Sequence, residues 1–183
     1  MIALWIVIGL VVSFLLYAMF AYNGLVRLRN RIENAWSQID VQLRRRYDLI
    51  PNLVETVKGY AAHERETLER VVAARKQGIE ADGVEQQAEA ENMITGALRQ
   101  LFALSEAYPD LKANQNFLAL QEELTATEDR IRFARQFYND SVMTYDNRRQ
   151  TVPTNIIASM FGFGPKPYFE IDEEFRGPVE VEF

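Results

Sequence analysis

The chemistry-bearing residues of this chain are few and mostly incomplete as sites. His63-Glu64 begins like a zinc-protease motif, but position 67 is Thr where the second histidine must stand. His63 is the only histidine and there is no cysteine. Sites that need two histidines, a thiol nucleophile or a thiolate-bound metal are therefore excluded. No Glu-x-x-His pair is present for a carboxylate-bridged metal site. Phosphate-binding glycine loops and a Gly-x-Ser-x-Gly nucleophile turn are also missing. His63 reads as an ordinary helix-surface residue, and no cofactor is indicated.

Two polar groupings remain. Arg44-Arg45-Arg46 runs close to Asp48. Asp48 reads as a helix cap and salt-bridge partner where Pro51 breaks the chain's helical run. Asn114, Gln121, Glu128 and Arg135 recur every 7 residues, which puts them on one helical face. If that face is buried, each group needs a partner. Arg46 with Glu128, and Arg135 with Asp48 or Asp40, are the expected pairs. This is a structural seam between helices, not a ligand site, and Glu128→Gln is then expected to lower thermal stability.

The elements that must position these residues follow from the apolar pattern. Residues 2–22 contain no charge, and about 20 helical residues cross a bilayer core. Trp5 at one end and Tyr17 and Tyr22 at the other suit the headgroup levels. A cleaved signal peptide is the competing reading. It lacks a basic leader, and Ala18-Met19-Phe20-Ala21 spaces its alanines wrongly for cleavage. A retained anchor over residues 1–24 is the expectation. Arg27, Arg29 and Arg31 follow the run directly. They predict an outside N-terminus and a cytoplasmic body. The triple arginine lies about 22 residues further on, roughly 33 Å along a helix, too far for headgroups.

Past the anchor, Leu25, Leu28, Ile32, Trp36, Ile39, Leu43, Tyr47 and Ile50 step by 3 or 4, a single helical stripe. Gly24 is the one easy bend before it. Helices are expected over 25–50, 52–77, 84–107 and 110–149, with Gly78 and the short polar run Asp82-Gly83 ending the second. The fold class is all-α: one transmembrane helix, then an antiparallel bundle of long helices over 25–152. Trp36 is expected to be buried. Residues 153–183 are expected to form a non-helical tail, rich in aromatic residues and then in acids. Its Val179-Glu180-Val181 alternation reads as a short strand without a partner in an all-helical chain. A neighbouring copy could supply that partner, and a tail folded onto its own bundle is the alternative.

Charge is segregated. Six arginines and two acids lie between Arg27 and Arg46, and eleven acids and two bases between Glu80 and Asp129. The net charge of −6 argues against nucleic acid as a partner.

Specific residues also carry a family resemblance. Ala35-Trp36-Ser37-Gln38-Ile39-Asp40-Val41-Gln42-Leu43 precedes Arg45-Arg46-Tyr47-Asp48-Leu49-Ile50-Pro51-Asn52-Leu53-Val54. Together with Pro109-Asp110-Leu111-Lys112-Ala113, Asn116-Phe117, Leu120-Gln121, Leu124, Glu128, Ala134-Arg135, Tyr138-Asn139 and Val142, this resembles the LemA family. The run Tyr145-Asp146-Asn147-Arg148-Arg149 departs from the family's usual Tyr-Asn pattern. The resemblance implies a bacterial inner-membrane protein with one anchor and a cytoplasmic helical bundle. It implies no established enzymatic activity, and an association with membrane shaping or membrane proteolysis. The expected function is a non-enzymatic scaffold or adaptor that self-assembles at the membrane. A membrane-remodelling protein and a regulatory partner of an integral membrane protease are the alternatives. The expected partners are the bilayer, further copies of the chain and, in the last reading, another integral membrane protein.

Overall fold

The structure is a computed structural model that describes residues 1–170. Among these residues there are six helices and no strand. The first, α1, runs without interruption from Ile2 to Lys58. At 1.5 Å per residue it is roughly 85 Å long. Its two halves have opposite surfaces. The side chains of residues 2–16 are all exposed, while Leu25, Ile32, Ala35, Ile39, Leu43, Ile50, Leu53 and Val57 are buried. The exposed part is the one segment among the described residues long and apolar enough to cross a membrane.

The remaining helices are α2 (Arg65–Glu80), α3 (Gly83–Ser105), α4 (Pro109–Lys112), α5 (Gln115–Gln150) and α6 (Thr154–Met160). Contacts that fall in opposite sequence order show α1 and α5 to be antiparallel. Arg45 meets Glu123, and Trp36, earlier in α1, meets Tyr138, later in α5. α2 and α3 form a second antiparallel pair, with Arg70 on Gln100 and Gln87 on the Gly78 carbonyl. This pair packs on the lower half of α1, and α6 packs on α1 and α5 near the apolar end.

Several boundaries differ from the sequence expectation. Gly24 makes no break, and Pro51 lies inside α1 instead of ending it. Proline removes the N–H that would bond the carbonyl four residues earlier, here that of Tyr47. Arg75 of α2 supplies the missing donor: its Nε donates to the Tyr47 carbonyl at 2.7 Å. The helix therefore continues until Gly59, and the expected second helix divides at residues 59–64. Asp48 is consequently an exposed mid-helix residue and caps nothing. His63 is exposed as expected, but on the loop between α1 and α2.

The expected fourth helix is also divided. Asn114 caps α5, its side chain accepting from the Phe117 N–H at 3.0 Å. The expected non-helical tail begins with α6, whose inner side carries Thr154, Ile157 and Ala158. Gly162 then takes φ of 70°, a left-handed value natural to glycine after a helix. Residues 163–169 fold back along the chain's own bundle, as the contacts below show. The predicted Val179-Glu180-Val181 strand lies outside the described residues.

Candidate functional site

The dominant polar feature is buried where α1, α3 and α5 meet. Arg46 is 1% exposed, the largest fully buried side chain of the described residues. Its Nη1 lies 3.0 Å from Glu91 Oε2 and 2.9 Å from Glu128 Oε1, and its Nη2 donates to Thr95 Oγ1 at 3.0 Å. A charge removed from water needs partners of opposite sign and hydrogen bonds for its remaining protons. Two carboxylates share this one guanidinium. Arg46 Nε is buried without a hydrogen-bond partner.

Glu91 is held from its other side by neutral donors. Tyr47 Oη donates to Glu91 Oε1, and Gln87 Nε2 donates to the same oxygen at 3.0 Å. Gln87 Nε2 also reaches Tyr47 Oη at 2.7 Å. Burial, followed by the negative charge of Glu91 and the hydrogen bond to it, raises the Tyr47 pKa far above the phenol range. The phenol therefore stays protonated and remains a donor. Gly78 of α2 sits against the same ring. A Cβ there would lie 2.7 Å from Tyr47 Oη and 2.9 Å from Ile94 Cδ1. Gly78 thus permits close helix approach and does not end its helix.

Glu128 is more open, with its side chain 34% exposed but its Oε1 turned inward and buried. Burial raises its pKa. Arg46 opposes that rise, Glu91 adds to it, and Arg132 and Arg135 oppose it. The seam expected on this face is therefore present at Glu128, whose partner is Arg46. Arg135 contributes its positive charge at Glu128. Asn114, the first member of the series, is a cap that also donates to Tyr60 Oη at 2.8 Å. Arg44 pairs with Asp40 on the helix surface and Arg45 with Glu123 across to α5, so the three adjacent arginines have three different settings.

A second group surrounds Trp36 and the returning segment. Trp36 is half-buried, not buried as expected, because its ring packs against the core from the side, tilted to its aromatic neighbours. Its centroid lies 5.7 Å from that of Tyr138 and 5.9 Å from that of Phe169. Tyr138 Oη donates to the Pro167 carbonyl at 2.9 Å, and Tyr145 Oη donates to the Gly164 carbonyl at 2.8 Å. Burial pushes the Tyr138 hydroxyl up to about 12. Asn139 grips Phe169 at both ends of its peptide. Its Nδ2 donates to the Phe169 carbonyl at 3.1 Å, and its Oδ1 accepts from the Phe169 N–H at 2.9 Å. Arg29 lies over Phe163 and Arg31 over Phe137, at 5.6 and 5.0 Å from the ring centroids. Arg27 is exposed just beyond the apolar run, and Pro51 is exposed beside Asp48.

Neither group resembles a reaction centre. The first is a closed ionic network that holds three helices in register. The second fastens an irregular segment with side-chain hydrogen bonds. Sequence reasoning missed Glu91, Gln87 and Arg75, and read Tyr47 only as a position of the apolar stripe, where it is indeed buried. Glu91 and Gln87 lie four residues apart on one helical face of α3, a spacing that marks the polar interruption in an otherwise apolar stripe. Among the described residues, no group of three acidic or histidine side chains is gathered as a metal site.

The architecture is that of a membrane-associated helical bundle: one exposed apolar helix continuous with a body organised around a buried ionic network. Residues 35–183 match the LemA family model, and the chain belongs to that family. It is 30% identical over 164 residues to Protein LemA of Metamycoplasma hominis, covering 87% of this chain and 73% of that protein. It is also similar to Magnetosome protein MamQ 1 of Paramagnetospirillum magneticum, 26% identical over 186 residues with 87% and 68% covered. Magnetosome protein MamQ of Magnetospirillum gryphiswaldense is 25% identical over 184 residues, with 86% and 68% covered. None of these names denotes an enzymatic activity.

Proposed function

We propose that this protein is a non-enzymatic, self-assembling scaffold anchored by α1 in the bacterial inner membrane. The carrying observation is the continuity of α1. One helix passes from a wholly exposed apolar surface to the buried spine of the bundle, with Arg75 bridging the point where Pro51 would weaken it. A continuous helix transmits position, so the body is held at a set distance and orientation from the bilayer. Arg27, Arg29 and Arg31 directly beyond the apolar run support a cytoplasmic body.

A groove on the outer face of α1 and α5 supports self-assembly. Its volume is about 550 Å³, and Val41, Phe133 and Phe137 contribute to its lining. Phe133 is 69% exposed, a large apolar side chain left in water by the single chain. Gln42, whose Oε1 is buried without a hydrogen-bond partner, lines the same groove. Apolar side chains beside an unused acceptor suit a protein surface offering a side chain and an N–H.

Light scattering of the full chain in detergent tests the reading. The wild type is expected to have the mass of several copies, and Val41→Glu with Phe133→Glu to lower it while retaining helix content. A wild type that stays single-copy at all concentrations overturns self-assembly. A translocated reporter fused to the C-terminus overturns the orientation.

A further inference from the structure

We infer that the segment around α6 is a second, independent membrane contact: a short interfacial helix that rests in the same leaflet as the inner end of the span formed by residues 2–22. This rests on the reading of residues 2–22 as a membrane span. It adds a lipid-facing surface from the opposite end of the chain.

The depth of α6 is set by a hydrogen bond. Tyr17 Oη and Thr154 Oγ1 lie 2.9 Å apart. Tyr17 lies inside the uncharged run, five residues before Tyr22 and ten before Arg27. Along a helix these separations are roughly 7.5 and 15 Å. An interfacial helix settles about 5–10 Å into the boundary between headgroups and acyl chains. The N-terminus of α6 is therefore fixed to the span at interfacial depth.

The surface of α6 matches that setting. Thr154, Ile157 and Ala158 are buried against the protein. On the other side Ile156 is 50% exposed and Met160 is 68% exposed, one helical turn apart. Phe161 adds a further exposed ring, packed edge-on against Tyr22 at 5.0 Å between centroids. Aromatic rings at this level suit the headgroup boundary.

Charge gives an independent indication. Residues 150–165 contain no ionisable side chain, in a chain where a quarter of the residues are charged. Exposed Arg148 precedes that stretch and Lys166 follows it, while Arg149 is turned to Asp146, its Nε 3.0 Å from Oδ1. An uncharged segment between cations fits a bilayer with anionic headgroups. Exposed Phe161, next to Met160, packs on half-exposed Tyr22, so the apolar side of α6 adjoins the inner end of the uncharged run, which makes lipid the occupant.

The chain has no cysteine, so single cysteines can be introduced for spin labelling without background. Ile156→Cys and Met160→Cys would report on α6. Val7→Cys would report on the span, and Val72→Cys on the exposed surface of α2. The full-length protein is reconstituted into vesicles of phosphatidylethanolamine and phosphatidylglycerol. Collision rates with oxygen and with a water-soluble nickel chelate are then measured. The ratio of oxygen to nickel collisions at positions 156 and 160 is expected to be severalfold above that at position 72 and below that at position 7. Equal ratios at 156, 160 and 72, with a high ratio at 7, would overturn the interfacial helix and leave the anchor standing. A low ratio at position 7 as well would overturn both. Labels at 156 and 160 shielded from both reagents would show protein, not lipid, covering α6.

Discussion

The buried cluster around Arg46 and the segment around Phe169 join distant parts of the chain by opposite means. At Arg46 the linking groups are charged, and most are withdrawn from water. Each depends on the others, because a buried ion without its counter-ion is strongly unfavourable. At residues 163–169 the segment is fastened through its own backbone carbonyls to neutral groups of α5, and the Phe169 N–H is paired as well. Loss of one such bond leaves the rest intact. The ionic cluster is therefore an all-or-none register for three helices, and the returning segment is a series of separable attachments.

The largest effect is expected at the ionic cluster. Arg46→Met leaves Glu91 buried without its cation and Glu128 Oε1 without its partner. It should cost about 3–5 kcal/mol. Chemical denaturation of the full chain in detergent would show this as one shifted, still cooperative transition. A loss under about 1 kcal/mol would mean that the network does not set the register.

Gly78→Ala tests the same cluster sterically. Its Cβ would press on the Tyr47 ring and on Ile94. A loss of about 1–3 kcal/mol is expected, as for overpacked cores. At the other region, Trp36→Ala should cost about 2 kcal/mol. That is below the roughly 3–5 kcal/mol of a fully buried ring, because Trp36 is half-buried. Thermal melts of the two variants side by side would check the ranking.

Tyr145→Phe keeps the ring and removes only the hydroxyl donating to the Gly164 carbonyl. About 1 kcal/mol is expected. Hydrogen exchange should accelerate around residues 163–169 and leave the amides near Arg46 unchanged. Acceleration at both places would show the two regions to be coupled.

The smallest effect is expected from Glu128. Its pKa is raised in the folded state, chiefly by burial. The folded protein therefore holds this proton more tightly than the unfolded chain does. The resulting stabilisation is present in full below the unfolded carboxylate range and is lost as pH rises through the raised folded value. Glu128→Gln should accordingly change neutral-pH stability little or raise it slightly, and should flatten this part of the pH profile. This revises the loss predicted from the residue spacing. A large drop at neutral pH, measured by urea denaturation at a series of pH values from acidic to neutral, would show that the Arg46 attraction outweighs burial.

Local periodicity determined much of this protein before any tertiary contact was known. The uncharged run of residues 2–22 marked the exposed apolar segment, and steps of 3 and 4 marked Leu25, Ile32, Ile39, Leu43 and Ile50 as core. Arg46 with Glu128 was also legible, because regular spacing on one helix face and a cation opposite are both written in the chain. These inferences succeed because a helix's face is set by its own repeat.

Only the tertiary structure decided the rest. Pro51 reads as a break in any local account, since the donor that replaces its missing N–H belongs to Arg75, twenty-four residues away on another helix. Gly78 reads as a stop until the Tyr47 ring is seen lying against it. Glu91 and Gln87 look like surface residues of an acidic helix until Arg46 and Tyr47 meet them. The partner of a buried polar group is chosen by packing, and packing brings together residues whose separation along the chain carries no repeat to read.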